Sequence, residues 1–194
     1  MVRKPGWFRG ASRRYSRHDG WQLRLLIVGG CALVALLNHD LGRAFARHPV
    51  RSVRLHLSRA PKSLPVPVEG VSPAQLIDSW GAPRSGGRRH KGIDIFAPRR
   101  TRVLSATEGV VVRRGESRLG GRVVWVLGPG GQRHYYAHLD GWADVKAGKW
   151  LEAGTVLGYV GDSGNAKGTP PHLHYGVYPR GRAAVNPYPL LADR

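Results

Sequence analysis

The sequence has little cysteine, little acid and no long apolar run, and each shortage narrows the reading. Of 194 residues one is cysteine, Cys31, inside an apolar stretch, so there is no disulfide framework and no Cys-rich metal site. Any metal must be held by histidine and carboxylate. Asp and Glu number 12 against 31 Lys and Arg, a formal charge of +19 with a pI near 11.3. Such a chain is attracted to something anionic: nucleic acid, phospholipid or an acidic envelope polymer. The Arg-rich stretch 84–102 could track phosphates, but no nucleic-acid motif is present and no aromatic platform interleaves the basic runs, so no specific nucleic acid is expected. No lysine-bearing P-loop accompanies the glycines, and no HExxH occurs, which removes the glutamate base of the zincins. What is present is 41% hydrophobic residues, 27 Gly and 14 Pro. That supports one packed domain of short strands and many turns, plus an appendage.

The N-terminus reads as an address. Residues 1–24 carry Arg3, Lys4, Arg9, Arg13, Arg14, Arg17 and Arg24 against Asp19 alone, and an uncharged apolar stretch follows from Leu25 to Leu37. As a helix that stretch spans only about 20 Å, short of the roughly 30 Å hydrocarbon core. It fits a signal h-region better than a full span. Ala44-Phe45-Ala46 offers small residues for cleavage after Ala46. A cleaved signal, a short anchor in the cytoplasmic membrane and an internal core helix behind a basic tail all remain open. Beyond residue 46 the chain still holds 23 basic against 10 acidic residues, so the charge belongs to the working protein too.

Residues 38–70, with scattered Arg, Pro61, Pro65 and Pro67 and no sustained periodicity, read as a tether. Ser72-Pro73-Ala74-Gln75 combines an N-cap with Pro at the first helical position and predicts a short helix over 73–80. From Gly92 onward the chain changes to short apolar runs between glycine-rich turns. They are Ile93–Phe96, Arg102–Ala106, Gly109–Val112, Arg122–Leu127, Arg133–Leu139, Thr155–Val160 and Leu173–Tyr178. Seven such runs predict an all-β domain over 71–194.

Five of the nine histidines fall in three strings: His90-Lys91-Gly92-Ile93-Asp94, Tyr136-Ala137-His138-Leu139 and His172-Leu173-His174. On a strand, i and i+2 share a face, so His172 and His174 project together while Leu173 faces the core. Two imidazole nitrogens and one carboxylate oxygen make a three-ligand zinc site with an open fourth position. His90, Asp94 and one of the paired histidines supply that set, which leaves two histidines to move protons. Each string alone has a plainer reading as a surface ion pair or a half-buried, backbone-bonded histidine.

Together the strings resemble the lysostaphin-type (LytM-like) zinc metallopeptidases of the bacterial envelope. The likeness covers roughly residues 76–190. It includes Gly92-Ile93-Asp94-Ile95, Ala97-Pro98, Gly109-Val110-Val111, Ser163-Gly164-Asn165-Ala166 and Asn186-Pro187. It implies that His90, Asp94 and His174 bind Zn²⁺ and that His138 and His172 are the catalytic pair. It also implies a groove-shaped antiparallel β fold of the barrel-sandwich-hybrid kind, peptidoglycan peptide cross-links as substrate, and a place in the cell envelope, periplasmic or extracellular. If the N-terminal segment is uncleaved, the inner membrane is a second partner. Where family members often carry an aromatic residue before the first ligand, this chain has Arg84-Ser85-Gly86-Gly87-Arg88-Arg89. The alternative is a non-catalytic, peptidoglycan-binding or amidase-activating relative.

Overall fold

The computed structural model describes Gly42 and residues 47–192. The basic head at 1–24, the apolar stretch at 25–37 and the cleavage position after Ala46 lie outside the described residues. Among those described, no helix is long and apolar enough to cross a membrane.

A helix, α1 (Pro49–Leu57), comes first. A two-residue hairpin follows, β1 (Pro83–Arg84) and β2 (Arg88–Arg89). The main sheet is built from β3 (Ile93–Phe96), β4 (Arg102–Leu104), β5 (Gly109–Ser117), β6 (Gly121–Leu127), β7 (Arg133–Trp142), β8 (Trp150–Leu151), β9 (Val156–Val160) and β10 (His172–Tyr178). The final element is α2 (Tyr188–Ala192). Strand order is β3-β10-β7-β6-β5-β8, with β9 paired to β7 and β4 to β9, and the pairings are antiparallel. The all-β expectation holds, and each of the seven expected runs contains a strand.

Alternation builds the two faces. Ile93 and Ile95 of β3 and Leu173, Tyr175 and Val177 of β10 enter the core with Val124, Val126, Tyr136 and Leu139. Removing each such aliphatic side chain from water contributes roughly 1.5–3 kcal/mol. Asp94, Phe96, His172 and His174 are left on the opposite face. There the register sets His174 directly across from Asp94 and His172 across from Phe96.

Two expectations are corrected. The helix predicted over 73–80 is a single 3-10 turn at Pro73–Gln75. Its capping box forms, with Gln75 Oε1 accepting from Ser72 N at 2.8 Å, but Leu76 turns extended to reach the core and the following chain runs toward the site. The stretch 38–70, expected to be an irregular tether, contains α1, begun by Pro at its N-terminus. Leu55 and Leu64 are buried, Val68 bridges to Val103, and Leu64 N donates to Leu190 O at 2.6 Å. The helix does not stand out in the sequence because its apolar residues are divided between opposite faces, Leu55 toward the domain and Val50, Val53 and Leu57 away from it, so no single core-facing stripe marks it among the arginines.

Candidate metal centre and active site

The β3/β10 register brings two of the expected residues together, and Gly92 brings the third. A Cβ at Gly92 would stand 2.4 Å from Tyr175 O, 2.8 Å from His174 Cε1 and 2.9 Å from His174 Nε2. Only a residue without a side chain lets the chain cross β10 this closely, and the crossing sets His90 against His174. The rings lie 4.7 Å apart between centroids.

Three donor atoms then converge. His90 Nε2 and His174 Nδ1 are 2.8 Å apart, His90 Nε2 and Asp94 Oδ1 3.1 Å, and His174 Nδ1 and Asp94 Oδ1 3.2 Å. Ligands at tetrahedral metal–ligand distances of about 2.0–2.1 Å stand roughly 3.3 Å from each other, so the triangle approximates one face of such a tetrahedron, with its His90–His174 edge about half an ångström short. The donor set therefore fits a divalent metal, with a corner left for water or substrate.

Surrounding groups fix these donors. His90 Nδ1–H donates to Ser79 O at 2.7 Å, which presents the Nε2 lone pair to the triangle. Ser79 Oγ also accepts from Asp94 N at 3.1 Å, so one residue straps two of the three donors. Arg84, from the hairpin, pairs with Asp94 Oδ2 and leaves Oδ1 for the triangle. Burial raises the Asp94 carboxyl, but hydrogen bonds and charge from His174 and His90 in their protonated forms outweigh it and hold the group far below the usual carboxylate range. The metal-ready form is thus the ionised one. Burial pushes His174 down, against the pull of Asp94, which favours the neutral imidazole a metal requires.

The other two histidines flank the triangle. His172 Nε2 lies 3.9 Å from Asp94 Oδ1, and its Nδ1–H donates to Pro170 O at 2.8 Å. His138 reaches the site by breaking the strand's alternation. Its neighbour two residues back, Tyr136, is in the core, so a regular β7 would bury His138 there as well. Instead His138 has φ 63, Leu139 takes the core position, and the register shifts between Leu139 and Gly141. Left-handed backbone at a non-glycine costs roughly 1–2 kcal/mol, and here it turns the ring to within 5.1 Å of His172 and 5.9 Å of His174, centroid to centroid. Three contacts hold the turn: His138 N to Gly120 O at 2.8 Å, Ser163 N to His138 O at 3.4 Å, and His138 Nδ1–H to Ser163 O at 2.8 Å. Burial lowers the His138 pKa to about 4, against the Ser163 hydrogen bond, so at neutral pH its Nε2 carries a lone pair.

All five expected side chains, His90, Asp94, His138, His172 and His174, therefore meet on one face. The sequence did not single out Ser79 or the roles of the Ser163 and Pro170 carbonyls. A serine in a presumed helix and two backbone oxygens leave no pattern to read.

Comparison with known proteins shows the family. Peptidase family M23 matches residues 88–187, more than half of the chain. The L-Ala--D-Glu endopeptidase of Bacillus subtilis is 40% identical over 147 residues, covering 70% of this chain and 44% of that protein. The DD-carboxypeptidase/endopeptidase Mpg of Neisseria meningitidis is 35% identical over 100 residues, 52% of this chain and 22% of that protein. The matched part is thus less than half the length of either relative. Among solved structures, the catalytic domain of the antimicrobial peptidase lysostaphin from Staphylococcus simulans is similar with a TM-score of 0.53 and 30% identity, over 57% of this chain and 86% of that one.

Proposed function

The chain belongs to peptidase family M23, and from that membership and the site's geometry we propose that it is a zinc-dependent endopeptidase hydrolysing peptide cross-links of bacterial peptidoglycan. The observation that carries this reading is the donor triangle of His90, Asp94 and His174 with two more imidazoles beside it. His90 Nε2, His174 Nδ1 and Asp94 Oδ1 are the ligands, a nitrogen and oxygen set suited to zinc. Zinc held there supplies a Lewis acid for the scissile carbonyl and for the attacking water.

His138 and His172 are the catalytic pair. Each has its Nδ1–H tied to a backbone carbonyl, so each can take up a proton at Nε2, toward the site. One accepts the proton of the attacking water and returns it to the leaving nitrogen. The other, when protonated at Nε2, donates to the carbonyl oxygen as negative charge grows on it. Asp94 is not the base, since one oxygen belongs to the triangle and the other to Arg84.

The basic excess of 47–194 draws the enzyme to a carboxylate-rich polymer. Residues 71–194 carry the peptidase domain, 38–70 lead into it with Leu55, Leu64 and Val68 packed on it, and 25–37 with its basic head at 1–24 are the export signal or membrane anchor. The enzyme works in the cell envelope. The test is incubation of the full chain with purified sacculi, with and without a chelator, and identification of released peptides by mass. The proposal expects release that stops with the chelator and returns with zinc, and the masses tell a D-alanyl–diaminopimelate link from a glycine bridge or a stem-peptide bond. Stoichiometric zinc with no release would instead support a non-catalytic, wall-binding module.

A further inference from the structure

Helix α1 presents an apolar stripe that the domain does not use. Val50, Val53 and Leu57 recur at i, i+3 and i+7 and are 80%, 51% and 81% exposed. At about 100° per residue they lie roughly opposite Ser52 and Leu55, the residues that dock the helix on the domain. The stripe therefore faces outward. Isolated exposed apolar residues are ordinary, but three on one helical face, directed away from the core, are a surface built to meet something.

The charge around the stripe identifies what. Exposed Arg47, Arg51, Arg54 and Arg59 stand on or beside the helix, and no acidic residue occurs between Arg47 and Glu69. Arg54 follows the stripe on one side, with Arg51 next to it toward the domain, its guanidinium 5.1 Å from the Trp150 ring. Apolar residues outward with cations along their flank is the arrangement by which a helix lies in a bilayer interface, its arginines level with the headgroups. Position along the chain agrees. Eleven residues separate Leu37, the end of the apolar N-terminal stretch, from Pro49. That length reaches at most about 40 Å, so α1 cannot stray far from any membrane the stretch 25–37 enters.

We propose that α1 is an interfacial helix that lays Val50, Val53 and Leu57 into an anionic phospholipid surface and so seats the folded domain on the membrane. Neutral lipid lacks the partner for the arginines, and a second copy of this strongly basic chain would meet like charge.

The test uses the full chain with Cys31→Ser and an environment-sensitive fluorophore at Val53→Cys, compared with the same label at Ile77→Cys, an apolar position 64% exposed elsewhere on the domain. With vesicles containing an anionic phospholipid, the label at 53 is expected to shift to the blue and to be quenched by lipid-borne quenchers, while the label at 77 does neither. Val50→Ser with Leu57→Ser should remove most of the shift at 53 even where the chain remains vesicle-bound through its N-terminus. A label at 53 that stays in water on vesicle-bound protein would overturn the proposal, as would equal quenching at 53 and 77, equal response to neutral vesicles, or a concentration-dependent shift without lipid, which would make the occupant another copy of the chain.

Discussion

Gly92→Ala tests whether one close crossing of chains assembles the metal site. The added Cβ would meet Tyr175 O at 2.4 Å and His174 Cε1 at 2.8 Å, whereas ordinary contacts begin near 3.4 Å. Relief therefore requires about 1 Å of movement between the 90–92 segment and β10. Tyr175 O is backbone within a paired strand and cannot swing aside alone, so the shift falls on the gap between His90 and His174. That gap is 2.8 Å between donor atoms. Metal–ligand bonds tolerate a few tenths of an ångström, and a misplacement of 1 Å in a catalytic constellation can cost about 100-fold. The overpacking itself costs about 1–3 kcal/mol of stability. Zinc content after dialysis, competition against a graded chelator, and thermal unfolding measure both effects. We expect metal affinity to fall by at least about 100-fold, beyond what the loss of stability explains. Gly115→Ala is the matched control, since nothing lies within 4 Å of a Cβ there. Wild-type zinc affinity in a folded Gly92→Ala protein would show that this crossing does not set the metal site.

Further outcomes follow from the groups around the site and beneath it. Ser79→Ala removes the hydroxyl that accepts from Asp94 N but keeps the carbonyl that holds His90. Zinc affinity should drop about 10-fold without loss of fold, read by chelator competition. His134 is buried beside the Tyr175 hydroxyl, 2.7 Å from it, and burial lowers its pKa to about 4. The unfolded chain takes up a proton at this residue near pH 6.5, while the folded chain resists until about pH 4. His134 therefore erodes stability as the pH falls through that window, by about 3 kcal/mol in all. His134→Gln should flatten the slope of unfolding free energy between pH 6.5 and 4 in denaturant titrations, and an unchanged slope would show that another group sets it.

What the sequence made legible is what side-chain chemistry and strict alternation encode. The i, i+2 spacing of His172 and His174, with Leu173 between them in the core, needs only a strand, and the strand is there. Asp94 between Ile93 and Ile95 follows the same rule. His138 was legible as chemistry but not as geometry, because alternation from Tyr136 would send it to the core and a left-handed turn reverses that. Ser79 was hidden by its neighbours, since a capped start at Ser72 and Pro73 reads as a helix that the burial of Leu76 cuts short. Helix α1 escaped notice for a related reason. Its apolar residues are divided between opposite faces, Leu55 inward and Val50, Val53 and Leu57 outward, so no single core-facing stripe marks it.

The proposed function rests on a division of labour in which His90, Asp94 and His174 hold the metal while His138 and His172 move protons. It is tested most directly by measuring bound zinc and peptide release from sacculi on the same preparations of Asp94→Ala and His138→Ala. Asp94→Ala should lose both, and His138→Ala should keep stoichiometric zinc while release falls by about 100-fold or more. Normal release by zinc-loaded His138→Ala, or full zinc and activity in Asp94→Ala, would contradict it.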